Sequence, residues 1–236
     1  MNKTKNKKDY LKQALLGLLA IIVYFSLTKL TSLPFSLLNI DLNSIPLSIK
    51  VIYNLASDFL IATILILIFL DILIKNFEDL KKNHQSYFKT YIKYWFLALA
   101  IMMTSNLIIM LFTNNDLSNN EEIIRQSFNK SPIYIFIAAV IVAPLTEELI
   151  FRQAFRNIFN NNLLFIILSG LIFGGLHVFT TYQTPTDLLY LVPYCTPGII
   201  FAYTLVKSKN IFVPMGLHFI HNGLLVSLQF LVLIFG

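Results

Sequence analysis

Seven separate stretches of this chain are apolar for long enough to cross a lipid bilayer, and nothing else in the sequence narrows the fold as much. A span needs about 20 predominantly apolar residues. Inside hydrocarbon the backbone must satisfy its own hydrogen bonds, so such stretches fold as helices. They lie at about 14–30, 51–74, 94–112, 132–159, 163–179, 188–206 and 211–235. Only 13% of the 236 residues are charged and 56% are hydrophobic, whereas a soluble domain carries about 25% charged residues. The expected fold is all-α, a polytopic transmembrane helical bundle of about seven spans with the lipid bilayer as its partner.

The net charge of +6 does not point to nucleic acid, because the lysines sit in loops and at the N-terminus. Lys3, Lys5, Lys7, Lys8 and Lys12 precede the first span. Lys75, Lys81, Lys82, Lys89 and Lys93 fall in segment 75–93, which reads as a loop. Arg152 and Arg156 lie near the turn at 160–162, and Lys207 and Lys209 follow the sixth span. In a seven-span chain these groups share one side, which the positive-inside rule makes cytoplasmic. That places the N-terminus inside and Gly236 outside. The segment 113–131 is polar, with Asp116, Glu121 and Glu122 against Arg125 and Lys130, and reads as an outer loop. The basic start resembles that of a signal peptide, but no small-residue cleavage site follows, so the first span is expected to be retained. The single cysteine, Cys195, excludes an internal disulfide and a cysteine-based metal site, and is expected to be a packing residue.

The chemistry concentrates in the last four spans. Pro144-Leu-Thr-Glu-Glu-Leu-Ile-Phe-Arg152 places two carboxylates and a guanidinium inside an apolar run. Ionisable groups there are costly, and they usually face the protein interior and carry function. Glu148 and Arg152 are four apart, acid first, and can pair on one face. Glu147 is turned about 100° away with no basic partner within a turn. One acid therefore reads as structural and the other as free for chemistry. In the fifth span Phe173 and His177 share a face, and Gly170, Gly174 and Gly175 leave that helix little bulk, which allows close helix approach. In the seventh, His218 and Asn222 share a face with His221 beside them. Glu147 lies 14 residues before Asn161 and His177 lies 16 after it. At about 1.5 Å per residue both sit roughly 21–24 Å from the turn and so at one level. Taken singly, each feature also reads as an ordinary interhelical polar contact, as does Asp58 in the second span. Three polar pairs at helical spacing in three of the last four spans make a constellation.

Glu147-Glu148-x-x-x-Arg152, Phe173-x-x-x-His177 and His218-x-x-x-Asn222 resemble the three motifs of the CAAX-protease and bacteriocin-processing (CPBP, or Abi) family of intramembrane proteases. That family includes the type II prenyl-protein endopeptidases. The resemblance covers roughly residues 130–225 and no motif position departs from the pattern. It divides the chain into 1–129, three N-terminal spans with their loops, and 130–236, a four-span catalytic core. It implies peptide-bond hydrolysis in the membrane, with Glu147 and His177 activating water and His218 and Asn222 donating to the oxyanion. Arg152 would hold Glu148 in register or meet a substrate carboxylate, and Phe173 belongs to the second motif. Two histidines and a carboxylate can bind zinc, but here the histidines lie on different helices without His-Glu-x-x-His, and no obligatory metal or other cofactor is expected.

The Lys-, Asn- and Ile-rich composition suggests a bacterial plasma membrane. There the substrate expected is a peptide precursor or membrane protein, such as a bacteriocin or signalling-peptide precursor. A non-enzymatic alternative is a bacteriocin self-immunity protein or membrane regulatory scaffold of the same fold. A proton-coupled transporter using Glu147, Asp58 and the histidines is a third reading, and the lack of internal repeats argues against it. The lysine asymmetry predicts the orientation directly. A cysteine at Ser118 should react with an impermeant thiol reagent on whole cells and one at Ser86 should not; the reverse pattern would invert the topology.

Overall fold

A computed structural model describes residues 7–41, 44–113 and 117–235. Expectations that rest on Lys3, Lys5, Asp116 and Gly236 lie outside the described residues. Among the described residues the protein is an all-α bundle, and seven helices are long and apolar enough to cross a membrane. They are α1 (Lys7–Leu30), α3 (Leu47–Ile68), α4 (Leu70–Thr113), α6 (Pro132–Ile158), α7 (Asn162–Phe179), α8 (Leu191–Ser208, entered through a 3-10 turn at Pro185–Tyr190) and α9 (Phe212–Phe235). Two short helices, α2 (Leu33–Leu37) and α5 (Asn119–Lys130), lie between spans.

Two segments expected as loops are helical. Residues 75–93 belong to α4, which runs unbroken for 44 residues after a one-residue break at Phe69. Nothing in 70–113 is glycine or proline. Its polar part is laced by Lys81–Glu78 at 2.8 Å and by an Asn83-to-Asp79 hydrogen bond at 2.7 Å. Charge there marks water, not loss of helix. A helix of this length is about 66 Å long, against about 30 Å of hydrocarbon, so its charged half stands outside. In segment 113–131, Ser118 caps α5 by accepting from Glu121 N at 3.2 Å, with Glu121 and Glu122 in the first turn. The Ser-x-x-Glu spacing is a helix start signal. Ser118 is buried, so the exposed Gln126 on the same helix is the better labelling site.

α6 is where the backbone departs from the α-form. Pro132 opens it at N1. It then winds as a π-helix over Phe136–Val142, as α-helix over Ala143–Glu147, and as π-helix again over Glu148–Ala154. Pro144 has no N–H to give and its ring crowds the preceding turn, which accounts for the first wide stretch. The two acids sit at the second junction, and π-turns recur at functional sites. Buried Leu149, Ile150, Phe151 and Ala154 of this segment form the core with Ala20 of α1, Leu65 of α3, Phe165 of α7 and Ala202 of α8.

α7 and α8 touch backbone to backbone. A Cβ on Gly170 would lie 2.8 Å from Ile199 N, and one on Gly174 would lie 2.5 Å from Cys195 N. Gly198 of α8 faces the Gly170 backbone in return. Cys195 is buried at this contact, as a packing residue. Pro193 and Pro197 lie within α8, which continues through both. At the far end Asn210 donates to Asn76 O and Asp79 Oδ2, both at 2.8 Å, and Ile211 N donates to Asn76 Oδ1 at 2.7 Å. Those bonds clamp α4 to the α8–α9 turn.

The glycine contacts predict a sharp contrast. Gly174→Ala should lower stability by about 1–3 kcal/mol through overpacking. Gly216→Ala, where an added Cβ meets nothing within 4 Å, should not. Thermal unfolding in detergent measures both, and equal midpoints would remove the close-approach role.

Candidate active site

A cavity of about 440 Å³ opens among α4, α5, α6, α7, α8 and α9. Glu147, Phe173, His177, His218 and Asn222, drawn from three helices, all line it. Glu148 and Arg152 do not; they stand behind its wall with no exposed side-chain surface. Adjacent acids therefore have different surroundings, because a one-residue step on a helix turns the side chain to another face.

Glu148 is held from two sides. Its Oε2 lies 3.2 Å from Arg152 Nε, off the line of a hydrogen bond, so the attraction is Coulombic. Its Oε1 lies 2.9 Å from His218 Nδ1. An ionised carboxylate only accepts, so that nitrogen carries the proton. His218 Nε2 then faces Glu147 Oε2 at 3.7 Å, too long for a hydrogen bond. His218 thus stands between the two acids, which helical spacing alone did not show. Arg152, the largest fully buried side chain, has its guanidinium carbon 4.6 Å from the Phe173 ring centre and 5.9 Å from that of Phe201. Among the described residues its Nη1 and Nη2 find no hydrogen-bond partner, so the cation is held by one carboxylate and two aromatic faces.

His177 is oriented by its own helix. Its Nδ1 lies 2.9 Å from Phe173 O, a carbonyl that can only accept. The proton is therefore on Nδ1, and in the neutral ring Nε2 is the lone-pair nitrogen. Phe173, buried, also packs against His177 at 4.7 Å and against His218 at 5.9 Å between ring centres. Asn222 Nδ2 donates one hydrogen to Ala139 O, at 2.7 Å, in the first π-stretch of α6. An amide has a second N–H to offer.

Sequence reasoning did not find several cavity residues. Tyr194 of α8 lies 5.2 Å from His177, ring parallel to within 19°. His221, outside the third motif, also lines the cavity, and its Nδ1 has no hydrogen-bond partner among the described residues. Met102 and Met103 of α4, and Glu121 and Arg125 of α5, complete the wall. Of these, the sequence had set only His221 beside motif residues, and the Ser118–Glu121 spacing marks the start of α5. Asp58 and His84 do not line it. Among the described residues no group of three or more His, Cys, Asp or Glu is placed to hold a metal ion.

Residues 129–224 match the family model for the type II CAAX prenyl endopeptidase Rce1-like proteins. Along 234 aligned residues the chain is 29% identical to the membrane-embedded CAAX protease MroQ of Staphylococcus aureus (strain USA300), covering 91% of this chain and 89% of that protein. It is 30% identical over 115 residues to YdiL of Bacillus subtilis (strain 168), 48% of this chain and 43% of that one. No solved structure matches the chain significantly.

The unequal surroundings of the two acids predict unequal damage. Removing one half of a buried pair typically costs about 3–5 kcal/mol. Glu148→Gln should therefore lower the thermal midpoint and the folded yield more than Glu147→Gln. Equal values for the two variants would remove the structural role of Glu148.

Proposed function

Because the chain belongs to the CPBP family of membrane proteases, we propose that it hydrolyses a peptide bond inside the bilayer with a water activated by Glu147 and His177. The observation that carries this reading is the division between neighbouring acids. Glu148 is spent on Arg152 and His218, while Glu147 lines the cavity with His177. A water held there can donate one hydrogen to the Glu147 carboxylate and the other to the His177 Nε2 lone pair. Its oxygen is then aimed at a substrate carbonyl.

The steps balance without a covalent enzyme intermediate. Glu147 takes a proton as the water oxygen bonds to the carbonyl carbon, and the carbonyl becomes an oxyanion. The second Nδ2–H of Asn222, and His218 through Nε2 when the ring is protonated, are the donors for that charge. Donors aimed at a developing oxyanion in a water-poor site carry much of the rate. The C–N bond then breaks, and the proton on Glu147 passes to the leaving amine. Arg152 is a positioning residue in this scheme, since it lies behind the wall and keeps Glu148, and through it His218, in place. No step uses a metal or other cofactor.

The substrate in this reading is a peptide precursor or membrane protein, such as a bacteriocin or signalling-peptide precursor. The setting is a bacterial plasma membrane with the N-terminus cytoplasmic. The core at 130–236 carries the chemistry, and the wall from α4 brings the N-terminal part into the site.

Purified protein should cleave candidate precursor peptides, with products identified by mass spectrometry. Glu147→Ala and His177→Ala should abolish cleavage while leaving the protein folded. Asn222→Ala and His218→Ala should each leave a measurable rate lowered by about 10²–10³. Cleavage that survives in Glu147→Ala would rule out this water activation. A cellular phenotype that tolerates both null substitutions, with no cleavage of any precursor, would favour an immunity or scaffold protein. A chelator should leave the rate unchanged; loss restored by zinc would overturn the metal-free scheme.

A further inference from the structure

We propose that Tyr194 is a positioning residue for His177, and that through it the seating of α5 sets the orientation of the imidazole. This rests on His177 belonging to the active site. An imidazole that steers a water must be held in plane, because small errors in orientation carry large costs in rate. The Nδ1 bond to Phe173 O fixes one edge of the ring, and the tilted Phe173 ring, 4.7 Å away, supports it without stacking parallel to it. Tyr194 limits rocking of the ring about that bond. Its ring lies nearly parallel to the imidazole, 19° between planes and 5.2 Å between centres, within the range of offset stacking.

Tyr194 is in turn fixed at its hydroxyl by the start of α5. Its hydroxyl lies 2.8 Å from Ser118 Oγ and accepts from Asn120 Nδ2 at 3.2 Å. Ser118 is also the N-cap of α5, accepting from Glu121 N at 3.2 Å, so one hydroxyl serves both the start of α5 and Tyr194. Between them, Asn119 Nδ2 donates to Thr181 O at 3.1 Å and to Asp187 Oδ2 at 3.0 Å. The first turn of α5 therefore grips both the loop that leaves α7 just after His177 and the ring stacked on His177. Packing alone would ask for an apolar ring at position 194. Two hydrogen bonds at its far end, both from a polar helix that walls the cavity, give α5 a hold on the imidazole.

The experiment compares Tyr194→Leu, Tyr194→Phe and Asn120→Ala with the unaltered chain. The first readout is the rate at which diethyl pyrocarbonate modifies His177, mapped by peptide mass spectrometry in substrate-free protein. It reports the ring whether or not the protein cleaves anything, so failure of the protease reading and failure of this proposal are told apart. Modification should rise most for Leu, which loses the stack. It should rise less for Phe and Asn120→Ala, which keep the stack but release its far end. The second readout is the split between kcat and KM on a cleaved peptide. Leu should lower kcat by about 10- to 100-fold, leave KM within about twofold, and be largely rescued by Phe. Unchanged modification and kcat in Leu would overturn the proposal, as would an effect confined to KM, which would make Tyr194 a substrate contact. If Leu does not fold, Phe and Asn120→Ala decide: modification and kcat equal to the unaltered chain in both would overturn the link to α5.

Discussion

A cation and a carboxylate with no exposed surface in the apolar interior are stable only if each finds a counterpart, because the cost of removing them from water is several kcal/mol per ion. Here the counterpart set is Glu148, Arg152 and His218, with the faces of Phe173 and Phe201 under the guanidinium. Three motifs on three helices meet in this one cluster. Glu148 and Arg152 come from α6, Phe173 from α7 and His218 from α9. The cluster fixes the relative register of those helices, and the position of Glu147 follows from it, one residue along from an acid that cannot move.

The backbone is bent to serve that arrangement. Both π-stretches of α6 border the short α-helical piece that ends at Glu147. The first offers Ala139 O to Asn222, so the same irregularity reaches α9 as well. Distortion around a rigid charged cluster is economical in a membrane, where helices otherwise gain little from apolar contact with each other.

How much of this was legible in the sequence depends on whether the signal is local. The seven spans could be read because hydropathy acts residue by residue. The Glu148–Arg152 pair could be read because both lie on one helix. The common level of Glu147 and His177 followed from counting out from Asn161, and both line the same cavity. Segment 75–93 was misread because a solvated helix and a loop share a composition. Helix α5 was missed although Ser118 and Glu121 spell its start. The bond from His218 to Glu148 spans 70 positions and that from Ser118 to Tyr194 spans 76. No spacing rule encodes such contacts; they exist only once the helices are packed.

The glycine contact between α7 and α8 gives the cavity two walls of different stiffness. Where Gly170 and Gly174 meet α8 through backbone atoms there are no rotamers to change, so the side bearing His177 behaves as a solid. Elsewhere in the lining, Met102 and Met103 of α4 present unbranched, flexible chains that can refill space around different shapes. A molecule entering the cavity would therefore meet fixed geometry beside the α7–α8 contact and adaptable side chains at α4. Differences in shape can be absorbed by α4, and His177 need not shift to meet them.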